Sequence, residues 1–229
     1  MKILVPLLIK PGLNPLLACK ARELAAALIP GNPNHLIEII ENNDLIPDNP
    51  ADARTPWRKV YRARNAVLDR INLNDWDYLF WPDADLIDYP SDIISRFIKL
   101  NPEGITAPLV LIEGGATFYD YTAYLEKGTD HIQPTRMQRL DGRNLNPAYP
   151  YWSTGEPNAQ LVEMDCVGAI NLIPSWIYKL GARYENHLAF TDHYPVCKCC
   201  RDKGRLVLCD RGTITFHADL PKWGHNWNG

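Results

Sequence analysis

Apolar and polar positions along the chain fall into a repeating order of strand and helix. Ile3 to Ile9 is almost wholly apolar and predicts a buried first strand. Lys10-Pro11-Gly12 predicts a turn. Pro15 to Leu28 predicts a helix, with Pro15 suited to its first turn and Pro30-Gly31 ending it. Leu36 to Ile40 predicts a second strand that closes on Glu41-Asn42-Asn43-Asp44, and a Pro- and Asp-rich loop then runs to Pro56. Trp57 to Ile71 predicts a helix with Val60, Arg64, Val67 and Ile71 on one face. Tyr78 to Trp81 predicts a third strand, Ser91 a cap for a helix through Lys99, and Ile105 to Leu111 a fourth strand. This alternation implies an α/β protein with a central, mostly parallel sheet and helices on both faces. Ligands of such sheets bind at the carboxyl ends of the strands.

Glu113 to Gln160 breaks the pattern. It has no period and is rich in Gly, Pro, Tyr and Asn. Its aromatics, among them Phe118, Tyr119, Tyr121, Tyr124 and Trp152, argue against simple disorder. It reads as an insertion that covers substrate, with room for a short helix around Tyr121 to Glu126. Order returns at Glu163-Met164-Asp165, and "CVGAINLI" predicts a strand. Pro174 opens a short helix that Gly181 stops. Thr191 is placed to cap another helix with Asp192 in its first turn, and "RLVLCD" and "TITFHAD" predict two closing strands. No repeat or linker divides the chain. The expectation is one domain over 1–229, with a donor-binding part at about 1–112, the insertion at about 113–162 and an acceptor side at about 163–229.

Composition narrows the function classes. The 229 residues are 46% hydrophobic and 22% charged, enough for a sizeable core, and the net charge of −3 gives no global pull toward nucleic acid or anionic membrane. Charge is uneven, however. Arg54, Arg58, Lys59, Arg62, Arg64 and Arg70 form one basic cluster, and Lys198, Arg201, Lys203 and Arg205 another; each reads either as a solvated helix face or as a surface for phosphates. "ILVPLLI" is short and lacks a cleavage site, and no apolar run approaches the roughly 20 residues of a membrane span, so the expected location is cytoplasmic with no transmembrane segment. Of the six cysteines, Cys197, Cys199 and Cys200 lie near His193. They read as reduced thiols on a helix, or as part of a zinc site that lacks a clean second ligand pair.

The candidate chemistry starts in "DYLFWPDADLIDYP", Asp77 to Pro90. Carboxylates at the end of a buried strand are costly unless something pairs with them. Asp83-Ala84-Asp85 is a D-x-D element, whose hard oxygen ligands suit Mg²⁺ or Mn²⁺. On an extended segment residues i and i+2 point the same way, so both would approach one ion. The plainer reading is a turn in which the Asp side chains cap the segment that follows.

"RARNAVLD", "DYLFWPDADLIDYP", "FYDYTAY", "VEMDCVGAINLIP" and "FTDHY…RLVLCDRGTITFHADL" occur in that order. Together they resemble the GT-A-fold glycosyltransferases, a Rossmann-like single-domain architecture, and in particular the group of the yeast Golgi α-mannosyltransferase subunits with its bacterial and phage relatives. The likeness runs from Lys2 to about Leu220. By position it implies that Asp85 binds the metal, that Asp83 contacts the metal, the ribose or the donor sugar, and that His217 completes the site. Arg64 and Asn65 match an "RN" pair that would hold Asp83 or the donor diphosphate. Pro6 and Glu41 lie where that fold contacts the base and ribose. Asp192 matches an acid facing the acceptor, a general base in inverting members and a holding group in retaining ones; Asp165 is the second catalytic candidate. Gly168 would let backbone approach the donor sugar closely. Lys222, followed by Trp223, resembles a diphosphate-binding Lys of the glycogenin-like enzymes, with a spacing shorter by one residue.

The resemblance implies a metal-dependent transferase that moves a sugar from a UDP- or GDP-sugar to an acceptor hydroxyl, with retention of configuration and with Mn²⁺ or Mg²⁺ as cofactor. A glycan, a lipid-linked sugar, a protein and a modified base in DNA all remain open as acceptor. Two other classes stay in view: a nucleotidyltransferase, and a catalytically silent nucleotide-sugar-binding module.

Overall fold

A computed structural model describes residues 1–9, 12–41, 58–115, 119, 123–128, 160–185 and 191–223. The chain order is β1 (Lys2–Leu7), α1 (Pro15–Gly31), β2 (Leu36–Glu41), α2 (Arg58–Arg70), β3 (Tyr78–Pro82), β4 (Leu86–Asp88), α3 (Ile93–Leu100) and β5 (Ile105–Ile112). It continues with β6 (Leu125–Glu126), β7 (Leu161–Cys166), β8 (Ile170–Pro174), α4 (Ser175–Lys179), α5 (Tyr194–Asp202) and β9 (Val207–His217).

The described strands form one sheet in the order β2-β1-β3-β8-β5-β9-β7-β6, with β4 added along β9. β2, β1 and β3 pair in parallel, as do β5 and β9. β8 runs against them between β3 and β5. β3 and β8 are buried at every position, and β5 at all but its last. Continuous apolar strands of this kind need cover on both faces, which the helices provide. α1 follows from its sequence. Asn14 accepts the Leu16 N–H at 2.8 Å, Pro15 opens the helix, and Leu17, Ala21, Leu24, Ala25 and Leu28 form its buried stripe. Each fully buried Leu or Ile of this core contributes about 1.5–3 kcal/mol by leaving water.

Several local expectations change. Asp92, not Ser91, precedes α3, and the Ser91 carbonyl instead accepts from the buried Asn32 side chain at 2.7 Å. The short helix expected near Tyr121 is not what the described part shows, since Leu125–Glu126 is a strand paired with Cys166 and Met164. "CVGAINLI" is split by a turn at Val167–Ala169 between β7 and β8. The two closing strands are one, β9, with a register shift opposite Pro108 and Leu109. The buried Asp210 carboxylate accepts from Gly212 N at 2.9 Å and Thr213 Oγ1 at 2.7 Å, which gathers the extra residues into an irregularity without ending the strand. Trp57, the loop before it and most of the insertion lie outside the described residues.

Candidate active site

β3 delivers the D-x-D to the carboxyl end of the sheet, and the chain then turns. The Leu86 N–H reaches back to the Asp83 carbonyl at 3.3 Å, and Asp83 N donates to the Ala169 carbonyl at 3.0 Å. Asp83 and Asp85 therefore leave the chain from a turn and not from an extended strand, and their carboxylates face different partners. After the turn, β4 pairs with the end of β9, Leu86 opposite His217, and Ala218 N donates to the Asp85 carbonyl at 2.9 Å. This pairing brings Asp85 to His217.

His217 Nε2 lies 3.0 Å from Asp85 Oδ1. Its other nitrogen, Nδ1, sits 2.8 Å from the Ala218 carbonyl, which only accepts, so Nδ1 carries the proton. Nε2 then turns a lone pair to the site. It is buried and makes no well-aligned hydrogen bond among the described residues; burial works against a charge on His217, but the Asp85 carboxylate outweighs it and raises the imidazole pKa, so without an ion the pair holds a proton more readily than a free histidine does. Either a proton or a metal ion satisfies that nitrogen beside the carboxylate. Two ligands at right angles around a divalent ion, each about 2.1 Å from it, stand about 3.0 Å apart. The Asp85–His217 pair therefore fits Mn²⁺ or Mg²⁺. Among the described residues no group of three His, Cys, Asp or Glu side chains converges on one point. A pair is what such an ion needs when substrate phosphates and water supply its remaining ligands. The same finding removes the zinc reading of the cysteines. His193 Nδ1 faces Asn171 at 3.3 Å, Cys197 and Cys200 reach main-chain carbonyls, and none of the six cysteines forms a disulfide.

Asp83 belongs to a second cluster. Arg64, 3% exposed, spans two carboxylates, donating from Nη2 to Asp83 Oδ1 at 3.0 Å and from Nη1 to Asp192 Oδ2 at 2.6 Å. Burial works against its charge, but Asp192 and Asp83 outweigh that and raise its pKa further. Asp192 sits before α5, not in its first turn, and Thr191 Oγ1 donates to its Oδ1 at 3.1 Å. Burial would raise the Asp192 pKa; Arg64 overcomes it, and the carboxyl is held below the usual range. Beneath Arg64 lies a layer that the sequence reading did not assign. Tyr184 lies under the guanidinium, 5.2 Å from ring centroid to Cζ. Its hydroxyl pairs with Tyr178 at 2.6 Å, and Tyr178 accepts from Trp81 Nε1 at 3.0 Å. His193 packs edge-on to Tyr184.

His193 carries a pH dependence. Burial first, and Arg64 second, push its pKa from 6.5 down to about 3, so the folded protein holds it neutral. The unfolded chain takes up a proton below about pH 6.5 and the folded one does not, so stability falls on acidification across that window and is fullest above it. Asp192, with its lowered pKa, adds a loss in the same direction at still lower pH. The urea midpoint should fall from pH 7 to pH 4. His193→Gln should flatten the slope by about one proton, or about 1.4 kcal/mol per pH unit. Equal slopes in parent and variant would show that His193 titrates normally.

Asn65 uses both ends of its amide on the Tyr184 backbone, Nδ2 to O at 2.7 Å and Oδ1 from N at 3.0 Å, so it tethers the segment beneath Arg64. Glu41 receives a two-pronged ion pair from Arg22 of α1 at 2.6 and 2.8 Å. Pro6 is buried in β1 opposite Ile40. Asp165, 3% exposed, accepts from Arg201 at 3.0 Å on the last turn of α5, about 10 Å along that helix from its Asp192 end. The two catalytic candidates are thus held by different arginines and do not meet. In the β7–β8 turn the left-handed residue is Ala169, at φ 54°, not Gly168, whose carbonyl accepts from Tyr124 at 3.3 Å. Lys222 pairs with Asp219 at 3.2 Å. Its turn is stitched to the site by Trp223 Nε1, which donates to Glu113 Oε2 at 2.8 Å, and by Asn14, which donates to the Trp223 carbonyl at 2.7 Å. In the second basic cluster, Lys198 pairs with Asp202, Arg201 with Asp165 and Arg205 with Glu103, which leaves little uncommitted charge for a phosphate backbone.

No family model and no curated protein matches the chain. Solved structures with a similar layout include GalNAc-T7 crystallised with UDP, GalNAc and Mn²⁺, at 12% identity and a TM-score of 0.48, over 95% of this chain and 43% of that one. A glycosyltransferase involved in glycosylating the major capsid of PBCV-1 gives 12% identity and a TM-score of 0.41, over 97% of this chain and 88% of that one. UDP-glucose pyrophosphorylase complexed with UDP-glucose gives 10% and 0.44, over 93% and 90%. The chain thus spans less than half the length of the GalNAc-T7 chain. No helix among the described residues is long and apolar enough to cross a membrane.

Proposed function

We propose that the protein is a glycosyltransferase of the GT-A type, moving a sugar from a nucleoside-diphosphate sugar to an acceptor hydroxyl with retention, and holding Mn²⁺ or Mg²⁺ on Asp85 and His217. The observation that carries this reading is the buried His217 Nε2 set 3.0 Å from Asp85 Oδ1 where β4 pairs with the end of β9. When bound, the ion supplies positive charge against a departing diphosphate. The neighbouring side chains divide the remaining work. Arg64 keeps Asp83 oriented at the donor side and Asp192 at the acceptor side, through one rigid guanidinium. Lys222, exposed on the turn stitched to Glu113, adds a cation at the same end of the sheet.

Asp192 acts by holding the acceptor. Its two oxygens already receive Arg64 and Thr191, and its lowered pKa makes it a weak base. In a retaining transfer the leaving diphosphate takes the acceptor proton, so Asp192 stays ionised throughout. Asp192→Asn should therefore lower sugar transfer by about 100-fold while slow donor hydrolysis stays within about threefold of the parent. An inverted product, with transfer and hydrolysis lost together, would make Asp192 the general base instead.

A further inference from the structure

Tyr119 is the one described residue between Gly115 and Ala123. Its amide donates to the Val110 carbonyl of β5 at 3.0 Å, which pins it beside the strand that pairs with β9. Its ring lies over His217, with centroids 3.5 Å apart and planes 12° from parallel. At that separation little lateral offset remains. A face-to-face pair of neutral aromatic rings is electrostatically poor, because both faces carry negative charge. The same pair becomes favourable when one ring is electron-poor, since a π-face attracts positive charge. An imidazole with a divalent cation on Nε2 is such a ring. Its Nδ1 proton is fixed by Ala218, its Nε2 faces Asp85, and Tyr119 lies parallel to its plane.

We propose that Tyr119 is a positioning residue for the metal site, and that its electron-rich face favours the metal-bound imidazole of His217 over the neutral, metal-free one. This rests on the reading that Asp85 and His217 hold a divalent cation.

The test is an electron paramagnetic resonance titration with Mn²⁺ alone, counting bound ion in the parent and in four variants. His217→Ala should abolish the site. Tyr119→Phe, which keeps a π-face, should bind within about twofold of the parent, and Tyr119→Leu about tenfold more weakly, the lower end for partners that orient a metal ligand. Pentafluorophenylalanine at position 119 keeps the ring's shape but reverses the charge on its face, and should resemble Leu and not Phe. A purely structural role would leave Phe and its fluorinated analogue equal, and that result overturns the inference while sparing the metal reading. Absence of an Mn²⁺ site in the parent, or one that survives His217→Ala, overturns the metal reading and the inference with it. If Tyr119→Leu fails to fold, the two aromatic variants still decide the question.

Discussion

Asp85→Ala should remove turnover, by roughly 10³-fold or more, and EDTA should do the same to the parent. The expectation follows from how the fold delivers Asp85. Its carbonyl accepts from Ala218, β4 pairs with the end of β9, and no other described acid faces His217 Nε2 as closely. The variant should still fold. The backbone contacts of Asp85 do not depend on the carboxylate, so the fold is kept, with the urea midpoint lowered by loss of the pair with buried His217. The neutral isostere Asp85→Asn should be nearly as inactive, because a hard divalent ion favours the charged oxygen ligand. Full activity in EDTA would show that Asp85 and His217 serve something other than a metal.

Arg64→Met should be the most destabilising single change at the site, by about 3–5 kcal/mol, because it leaves Asp83 and Asp192 facing each other with no cation between them. The Asp192 carboxyl, at present held down by Arg64, should then move back toward or above its ordinary range. Arg64→Lys should not rescue the loss. An ammonium has one nitrogen and no planar face, so it cannot lie flat on Tyr184 while two separate nitrogens reach the two carboxylates. Urea unfolding of parent and both variants at pH 7 checks this; a change below about 1 kcal/mol for Arg64→Met would mean that the two acids find other partners. The double variant Arg64→Met/Asp192→Asn should recover part of the stability, since it removes one of the stranded charges.

Much of this was legible in the chain. The continuous apolar runs at Ile3, Tyr78 and Ile105 gave the buried strands, and Arg64 stood out as a cation on the apolar face of α2. The D-x-D and His217 were readable as a candidate pair through resemblance, not through pattern. What escaped is non-local. β4 is three residues long and exists because Leu86 finds His217 across 131 positions of sequence. The turn at Asp83–Asp85 sends the two carboxylates to different partners, which the period-two argument for a strand cannot foresee. Gly168 drew attention as a place where backbone could approach a donor sugar, within a segment read as strand; the fold puts a turn there, and Ala169 takes the positive φ, its carbonyl being fixed by Asp83 N. His193 looked like a neighbour of cysteines, and only the fold places it against Asn171 and Tyr184. Tyr184 and Tyr178 carry no motif at all. Their role appears when α4 and the segment after it close beneath Arg64.

The central claim is that the chain breaks the bond between an anomeric carbon and a nucleoside diphosphate. The direct measurement is product identity across a panel of UDP- and GDP-sugars, with and without Mn²⁺. The expected result is nucleoside diphosphate, released with at least one donor when Mn²⁺ is present and suppressed by EDTA. Formation of nucleoside triphosphate and sugar 1-phosphate on addition of pyrophosphate, with no nucleoside diphosphate from any donor, would contradict it and make the protein a nucleotidyltransferase.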